Sequence, residues 1–372
     1  MESVELYALV AFGVVAILQI FYQSFFMLRM RSRKEFSDKR PPLSIVVCAR
    51  NEGGNISRLI DSLMQQKYPE FQVVVVDDCS TDDTLMQLAE AHQRYPQLYY
   101  TSIPIDNHFK HGKKLAVTVG IKAAKYQHLV MTDADCVPSS DRWLESIAQA
   151  YTEGKQLVIG YGKYRKIGGL LNYIIRYEAF WNAVQYFGFA VAFRPFMGVG
   201  RNMSYKRELY DASSKYRCNI KVLSGDDDLF ISEMGTRANT SIVFSADSQT
   251  VSEPKHTWSQ WVAQKARHLQ TASYYPKSVS SILMLEQITR QLTIWGGVAL
   301  LICMPNVIIL SSVASALFVR EVLIYISLYR AQKLMGERGL WGAAIIMDTL
   351  LPWIQLLAWI CGQSTKKNTK WR

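Results

Sequence analysis

The sequence predicts an α/β domain built on a parallel sheet and flanked by helices able to cross a membrane, and three observations carry that expectation. Between residues 43 and 132, short β-branched apolar runs alternate with apolar residues spaced at three and four. Residues 6–28 carry no formal charge, and roughly 20 apolar residues suffice to cross a hydrocarbon core of about 30 Å. Two more apolar stretches, 291–319 and 340–362, follow later in the chain. A mean hydropathy of +0.00 with only 20% charged residues fits a polar-surfaced domain joined to apolar spans, and 49% hydrophobic residues exclude a disordered or collagen-like chain.

Residues 1–30 are expected to form a retained anchor. Glu2 and Glu5 stand where a signal peptide is basic, and no small-residue cleavage site follows the apolar run. Residues 31–42 form a basic linker in which positions 31–40 hold five Lys or Arg against two acids, so the positive-inside rule assigns it to the cytoplasm. Pro41 and Pro42 end the linker, and residues 43–48 read as a buried strand. Ile56, Leu59, Ile60, Leu63 and Met64 then mark a helix over 56–66, stopped at Tyr68-Pro69. With a second strand at 71–76 this is a βαβ unit, for which a parallel pair and right-handed crossover are the default.

The alternation continues with a helix at 82–94, a strand at 98–103, a helix at 113–126 and a strand at 128–132. Ligands in open α/β sheets gather at the carboxyl ends of strands, which predicts that Asn51 and Glu52, Asp77 and Asp78, and Asp133 and Asp135 meet in one cleft. Residues 155–250 are less regular, and the Tyr- and Phe-rich run within 173–193 is read as packing before it is read as a binding groove. One domain, 43–275, is expected, followed by a C-terminal membrane region of two or more helices at 282–362 and a basic tail at 363–372.

The formal charge is +11, of which residues 31–40 supply +3 and residues 363–372 supply +4. Residues 41–281 hold 27 basic against 23 acidic side chains, so the excess sits at flanks suited to anionic lipid headgroups. No groove of interleaved basic and aromatic residues points to nucleic acid. The six cysteines are scattered without zinc spacing and read as reduced thiols.

Several acidic and basic groups could carry chemistry. Asp133 and Asp135 follow an apolar strand, and a divalent cation with hard oxygen ligands would relieve their repulsion, although a chance triplet or local helix capping would explain the acids too. Asp78 could hold a ribose or base, or solvate a loop. In the run Asp226, Asp227 and Asp228, apolar neighbours on both sides should raise at least one pKa, as suits a general base, while a helix N-terminus accounts for the same acids. Gln264, Arg267 and His268 share one helix face, where Arg267 could clamp a diphosphate or simply be solvated.

Taken in order, VVCARNE at 46–52, VDDCSTD at 76–82, Gly112-Lys113 with Ala116, TDAD at 132–135, GRNMSY at 200–205, GDDD at 225–228 and QKARH at 264–268 resemble the family 2 glycosyltransferases, over about residues 43–272. The resemblance implies a GT-A fold, a Rossmann-like nucleotide-sugar-binding domain with a mixed, mainly parallel sheet. It implies that Ala49, Asn51, Glu52, Asp78 and Lys113 bind the nucleotide, Asp133 the nucleotide sugar, and Asp135 a divalent metal, Mg²⁺ or Mn²⁺, bridging the diphosphate. Asp227 matches the catalytic base, with Asp226 in the preceding acidic position, and a one-residue shift would select Asp226 or Asp228. Arg267 matches the arginine of the QxxRW motif, with Gln264 and His268 beside it. His268 replaces the family's Trp, which weakens any inference to a processive polymer synthase.

The activity so implied is an inverting transfer of sugar from a UDP- or GDP-sugar to a lipid-linked or glycan acceptor, on the cytoplasmic face of a bacterial inner membrane. A catalytically silent subunit of a membrane glycan synthase is the alternative. For the C-terminal region a helical hairpin over 291–329 is favoured over separate crossings by 291–319 and 340–362, because it returns the basic stretch 330–338 to the cytoplasm.

Overall fold

The computed structural model describes residues 3–30, 35–105, 112–214, 225–269, 271 and 274–364, apart from the side chains of Asp226 and residues 362–364. Residues 31–34 of the linker, Cys218 and the basic end of the tail lie outside these. The centre of the domain is the predicted parallel unit: β1 (Leu43–Ala49) lies between β2 (Phe71–Asp78) and β4 (His128–Asp133), and β3 (Leu98–Ile103) flanks β2, all parallel.

Every residue of β1 is buried, because both sheet faces are covered. Ile45 and Val47 enter one core with α2 (Ile56–Met64), α3 (Thr84–Arg94) and α5 (Trp143–Ala148). Val46 and Cys48 enter the other, with α4 (Lys113–Ala123) and α6 (Leu170–Ala192). Full burial of each such aliphatic side chain stabilises by about 1.5–3 kcal/mol.

Beyond β4 the sheet turns mixed. Its order is β3-β2-β1-β4-β8-β6-β9, with β6 (Leu157–Gly160), β8 (Met203–Lys206) and β9 (Thr240–Val243), and β8 runs antiparallel to both of its neighbours. A small sheet joins β5 (Cys136–Pro138), β10 (Thr250–Ser252) and β7 (Gly162–Tyr164), with β10 antiparallel to β5. Two short helices, α7 (Arg207–Ala212) and α8 (Asp226–Met234), follow, and then α9 (Trp258–Leu269).

The aromatic segment is α6, whose Tyr177, Phe180, Trp181, Tyr186, Phe187 and Phe189 are all buried. It is a packed scaffold, in contact with the end of α1 (Ser3–Phe25). At Gly188 a Cβ would fall 2.2 Å from the Phe26 carbonyl oxygen, so glycine is what permits this approach.

Among the described residues, three helical segments are long and apolar enough to cross a membrane: Ser3–Arg29, Val307–Met335 and Trp341–Cys361. The uncharged stretch 291–319 is not one helix. A helical run of α10 (Lys277–Gln291), a π segment (Leu292–Gly296) and α11 (Gly297–Cys303) stops before Pro305, and α12 (Val307–Met335) begins after Asn306, whose side chain accepts the Ile309 N–H at 3.0 Å. At 1.5 Å per residue, the 29 residues of α12 reach about 44 Å, longer than the hydrocarbon core. It can include Arg320 because that guanidinium is buried and paired with Asp348 of α13 (Ala344–Ser364) at 2.7 Å.

Candidate active site

A cleft of about 220 Å³ opens at the carboxyl ends of β1 and β4, with Glu52, Lys113, Asp133, Asp135, Asp227, Asp228, Gln264, Arg267 and His268 on its walls. Most of the predicted residues therefore converge, and each is delivered by an identifiable element. Asp133 ends β4 and pairs with Lys113 Nζ at 2.5 Å from the first turn of α4. Burial presses the Asp133 carboxyl up, and the Lys113 ammonium together with Arg201 and Arg267 more than offsets that, leaving it below its usual value.

Asp135 sits two residues on, directly before β5. Burial and then the Asp133 charge push its carboxyl up, as expected of two acids held close together. Potential ligand atoms of Asp133, Asp135 and Cys136 all lie within 4.8 Å of one another. Cys136 Sγ is committed to Asp135 Oδ1 at 3.1 Å and to Ser252 Oγ at 2.9 Å, so the donors left for a metal are carboxylate oxygens, which suit Mg²⁺ or Mn²⁺. The residues present fit such an ion.

The acidic triplet opens α8. Gly225 before it has φ 86°, and a Cβ there would lie 2.2 Å from Thr271 Cγ2, so the turn that aims the triplet needs glycine. Asp227 lines the cleft; its Oδ2 accepts the Gly200 N–H at 2.6 Å and its Oδ1 the Asp228 N–H at 3.0 Å. Asp228 is buried beneath it and accepts from Tyr275 Oη at 2.9 Å and Thr271 Oγ1 at 3.2 Å. Burial and the adjacent Asp227 push the Asp228 carboxyl well above the usual carboxylate range. The environment thus separates the two: Asp227 is accessible in the cleft, whereas Asp228 is buried with its carboxyl pushed up. The Asp226 side chain lies outside the described residues.

On α9, Gln264, Arg267 and His268 all face the cleft. Burial and then the charges of Lys265 and Arg267 press the His268 ring far below its usual pKa, so it is neutral. Burial draws the Arg267 guanidinium down, opposed by Asp133. Among the described residues Arg267 makes no salt bridge.

Four predicted groups are placed elsewhere. Ala49 is fully buried in β1 and does not line the cleft. Asn51 (φ 55°) ties two loops together, its amide oxygen accepting the Thr81 N–H at 2.8 Å and its own N–H donating to Ser80 Oγ at 2.9 Å. Asp77 and Asp78 are buried at the end of β2, and Arg50 Nη1, 3.8 Å from Asp78, stands on the cleft wall in their stead. The sequence reasoning did not assign Arg50, Arg201 or Lys255, which also line the cleft. The first two lie inside the quoted motifs, whereas Lys255 follows β10 in a loop with no motif of its own.

Residues 44–212 match the family model described as Glycosyl transferase family 2. The succinoglycan biosynthesis protein ExoO of Rhizobium meliloti is 33% identical over 122 residues, which is 33% of this chain and 33% of that protein. The poly-beta-1,6-N-acetyl-D-glucosamine synthase of Staphylococcus epidermidis is 26% identical over 99 residues, covering 27% of this chain and 23% of that one. The matches thus span about a third or less of these relatives. Among solved structures, a mannosyltransferase from Pyrobaculum calidifontis in complex with GDP-Man and Mn²⁺ superposes with a TM-score of 0.56 at 19% identity, covering 94% of this chain and 98% of that one, and supports the GT-A fold.

Proposed function

We propose that this chain, whose residues 44–212 form a glycosyl transferase family 2 domain, moves a sugar from a nucleotide-diphosphate sugar to an acceptor hydroxyl with inversion, at the cytoplasmic face of a membrane. The observation that carries the reading is that one cleft holds the Asp133 and Asp135 pair, Arg267, and an accessible Asp227 whose carboxylate is fixed by two backbone N–H groups.

Asp135, with Asp133, would hold a divalent ion. When bound, that ion supplies positive charge to the diphosphate as it departs. Lys113 and Arg267, both lining the cleft, supply more, Arg267 through a planar fork that matches phosphate oxygens. Asp227 accepts the proton of the acceptor hydroxyl as its oxygen bonds to the anomeric carbon and the bond to the diphosphate breaks. Asp228, buried and accepting from Tyr275 and Thr271, does not compete for this role. A UDP- or GDP-sugar is the donor class, and the apolar helices beside the domain suit an acceptor that is a lipid or a lipid-linked glycan.

The test is release of nucleoside diphosphate by detergent-purified protein, across UDP- and GDP-sugars with Mg²⁺ or Mn²⁺ and membrane lipid extract as acceptor. Release from one donor, lost on chelation and in Asp135→Ala, is the expected result. Absence of both release and donor binding would favour a silent subunit.

A further inference from the structure

Behind the cleft, the helix that carries Gln264, Arg267 and His268 is held by a buried ion pair that no motif marks. On α9, Trp261 and Lys265 lie one turn apart, flanking the face that carries Gln264 and His268, and Trp261 is 2% exposed. Lys265 Nζ meets Glu178 Oε2 of α6 at 2.6 Å, with the two side chains 13% and 3% exposed. The other oxygen of the same carboxylate, Glu178 Oε1, faces Gln355 Nε2 of α13 at 3.5 Å. One buried carboxylate therefore stands where the motif helix, the aromatic scaffold helix and a membrane span meet.

The junction has a second level. Trp181, one turn along α6 from Glu178, lies under the Arg290 guanidinium at 5.0 Å, and Arg290 Nη1 is 3.7 Å from Asp348 Oδ1 of α13. Asp348 and Gln355 are seven residues apart and so share one face of α13, which packs along α9. α13 thus reaches α6 at two heights, directly through Gln355 and by way of Arg290 of α10, while α9 is tied to α6 through Lys265 and packs along α13.

Burying a charge pair costs desolvation that an apolar pair would not, and such pairs gain by fixing one arrangement over others. A helix rotation of one residue step, about 100°, would carry Arg267 and His268 out of the cleft. We propose that Glu178 is a positioning residue: through Lys265 it sets the rotation of α9, and so the placement of Arg267 against the diphosphate, with Gln355 of the span α13 steadying it. This rests on the donor reading above and adds that the membrane-facing part of the chain holds the diphosphate clamp in place.

The test is the affinity of full-length, detergent-purified protein for UDP and for GDP with Mn²⁺. It compares wild type, Glu178→Gln, Lys265→Met, Arg267→Lys and the double variant Glu178→Gln/Arg267→Lys, with thermal melting to confirm folding. Glu178→Gln should weaken the tighter-binding nucleotide about 10-fold, and only about 2-fold when Arg267 is already Lys, because its effect runs through that side chain. Lys265→Met should repeat the pattern and serves in its place if Glu178→Gln does not fold. Equal losses in both backgrounds would make Glu178 merely structural, and unchanged affinity in folded single variants would overturn the proposal outright. If wild type binds neither nucleotide, the donor reading fails and this inference with it; if Arg267→Lys weakens binding and the other single variants do not, only the inference fails.

Discussion

The two halves of this molecule are stabilised by different means. Around β1, β2 and β4 the interior is carbon: Ile45, Val46, Val47, Val74 and Val75 are fully buried and the polar groups emerge at the strand ends. From α6 onward the interior holds ions, with Arg176 on Glu337 at 2.7 Å, Lys265 on Glu178 at 2.6 Å, Arg290 on Glu286 at 2.5 Å and Arg320 on Asp348 at 2.7 Å. Apolar burial is non-directional and tolerates small shifts, whereas a buried ion pair fixes one geometry at the cost of desolvation. The first half can therefore present the acidic pair of the cleft on a generic sheet, while the second must orient α8 and α9 against a scaffold that also meets the long apolar helices.

The contrast can be tested by breaking each half where it is strongest. The largest effect is expected at Asp227: Asp227→Asn should lower nucleoside diphosphate release about 10³-fold with donor affinity nearly unchanged, since it removes a base and no diphosphate contact. Next comes the ion network. Arg320→Leu should cost about 3 kcal/mol in detergent unfolding, because buried Asp348 loses its nearer partner and keeps only Arg290 Nη1 at 3.7 Å, and Arg320→Leu/Asp348→Leu should recover most of that loss. In the carbon half Val75→Ala should cost about 2 kcal/mol with no partner variant that restores it. Gly225→Ala should follow at about 1–2 kcal/mol, because it strains a left-handed residue and meets Thr271, and it should lower activity further by shifting the start of α8.

The smallest effect is one of pH. Burial, with Lys206 nearby, lowers the His128 pKa from 6.5 to about 4. Between those values the unfolded chain binds the proton and the folded chain does not, so stability falls as pH drops through 6.5 toward 4. His128→Gln should flatten that part of the melting-temperature profile.

Much of this could be read from residues alone, and the exceptions are instructive. The strands and helices from 43 to 133 were readable because both faces of β1 and β2 are apolar and α2 has a clean three-and-four stripe. Asp133, Asp135 and Asp227 stood out because each adjoins an apolar run, and Gln264, Arg267 and His268 because three-and-four spacing puts them on one helix face. The strands β5, β7 and β10 have three residues each, too few to show a period, and so Lys255 beyond β10 gave no signal. Glu178, Arg290 and Arg320 were missed for the opposite reason. A charge within a helical run reads as solvent-facing, and nothing local reveals that its partner is 87 residues away, as Lys265 is from Glu178.

The account stands on one displacement driven by Asp227, and the stereochemistry of the product tests that most directly. With the active donor identified, the anomeric configuration of the transferred sugar would be read by NMR from the acceptor linkage formed in membrane extract. A single displacement predicts a configuration opposite to that of the donor. Retention would require a nucleophile on the chain or a different attack face, and would contradict the assignment of Asp227 as the base.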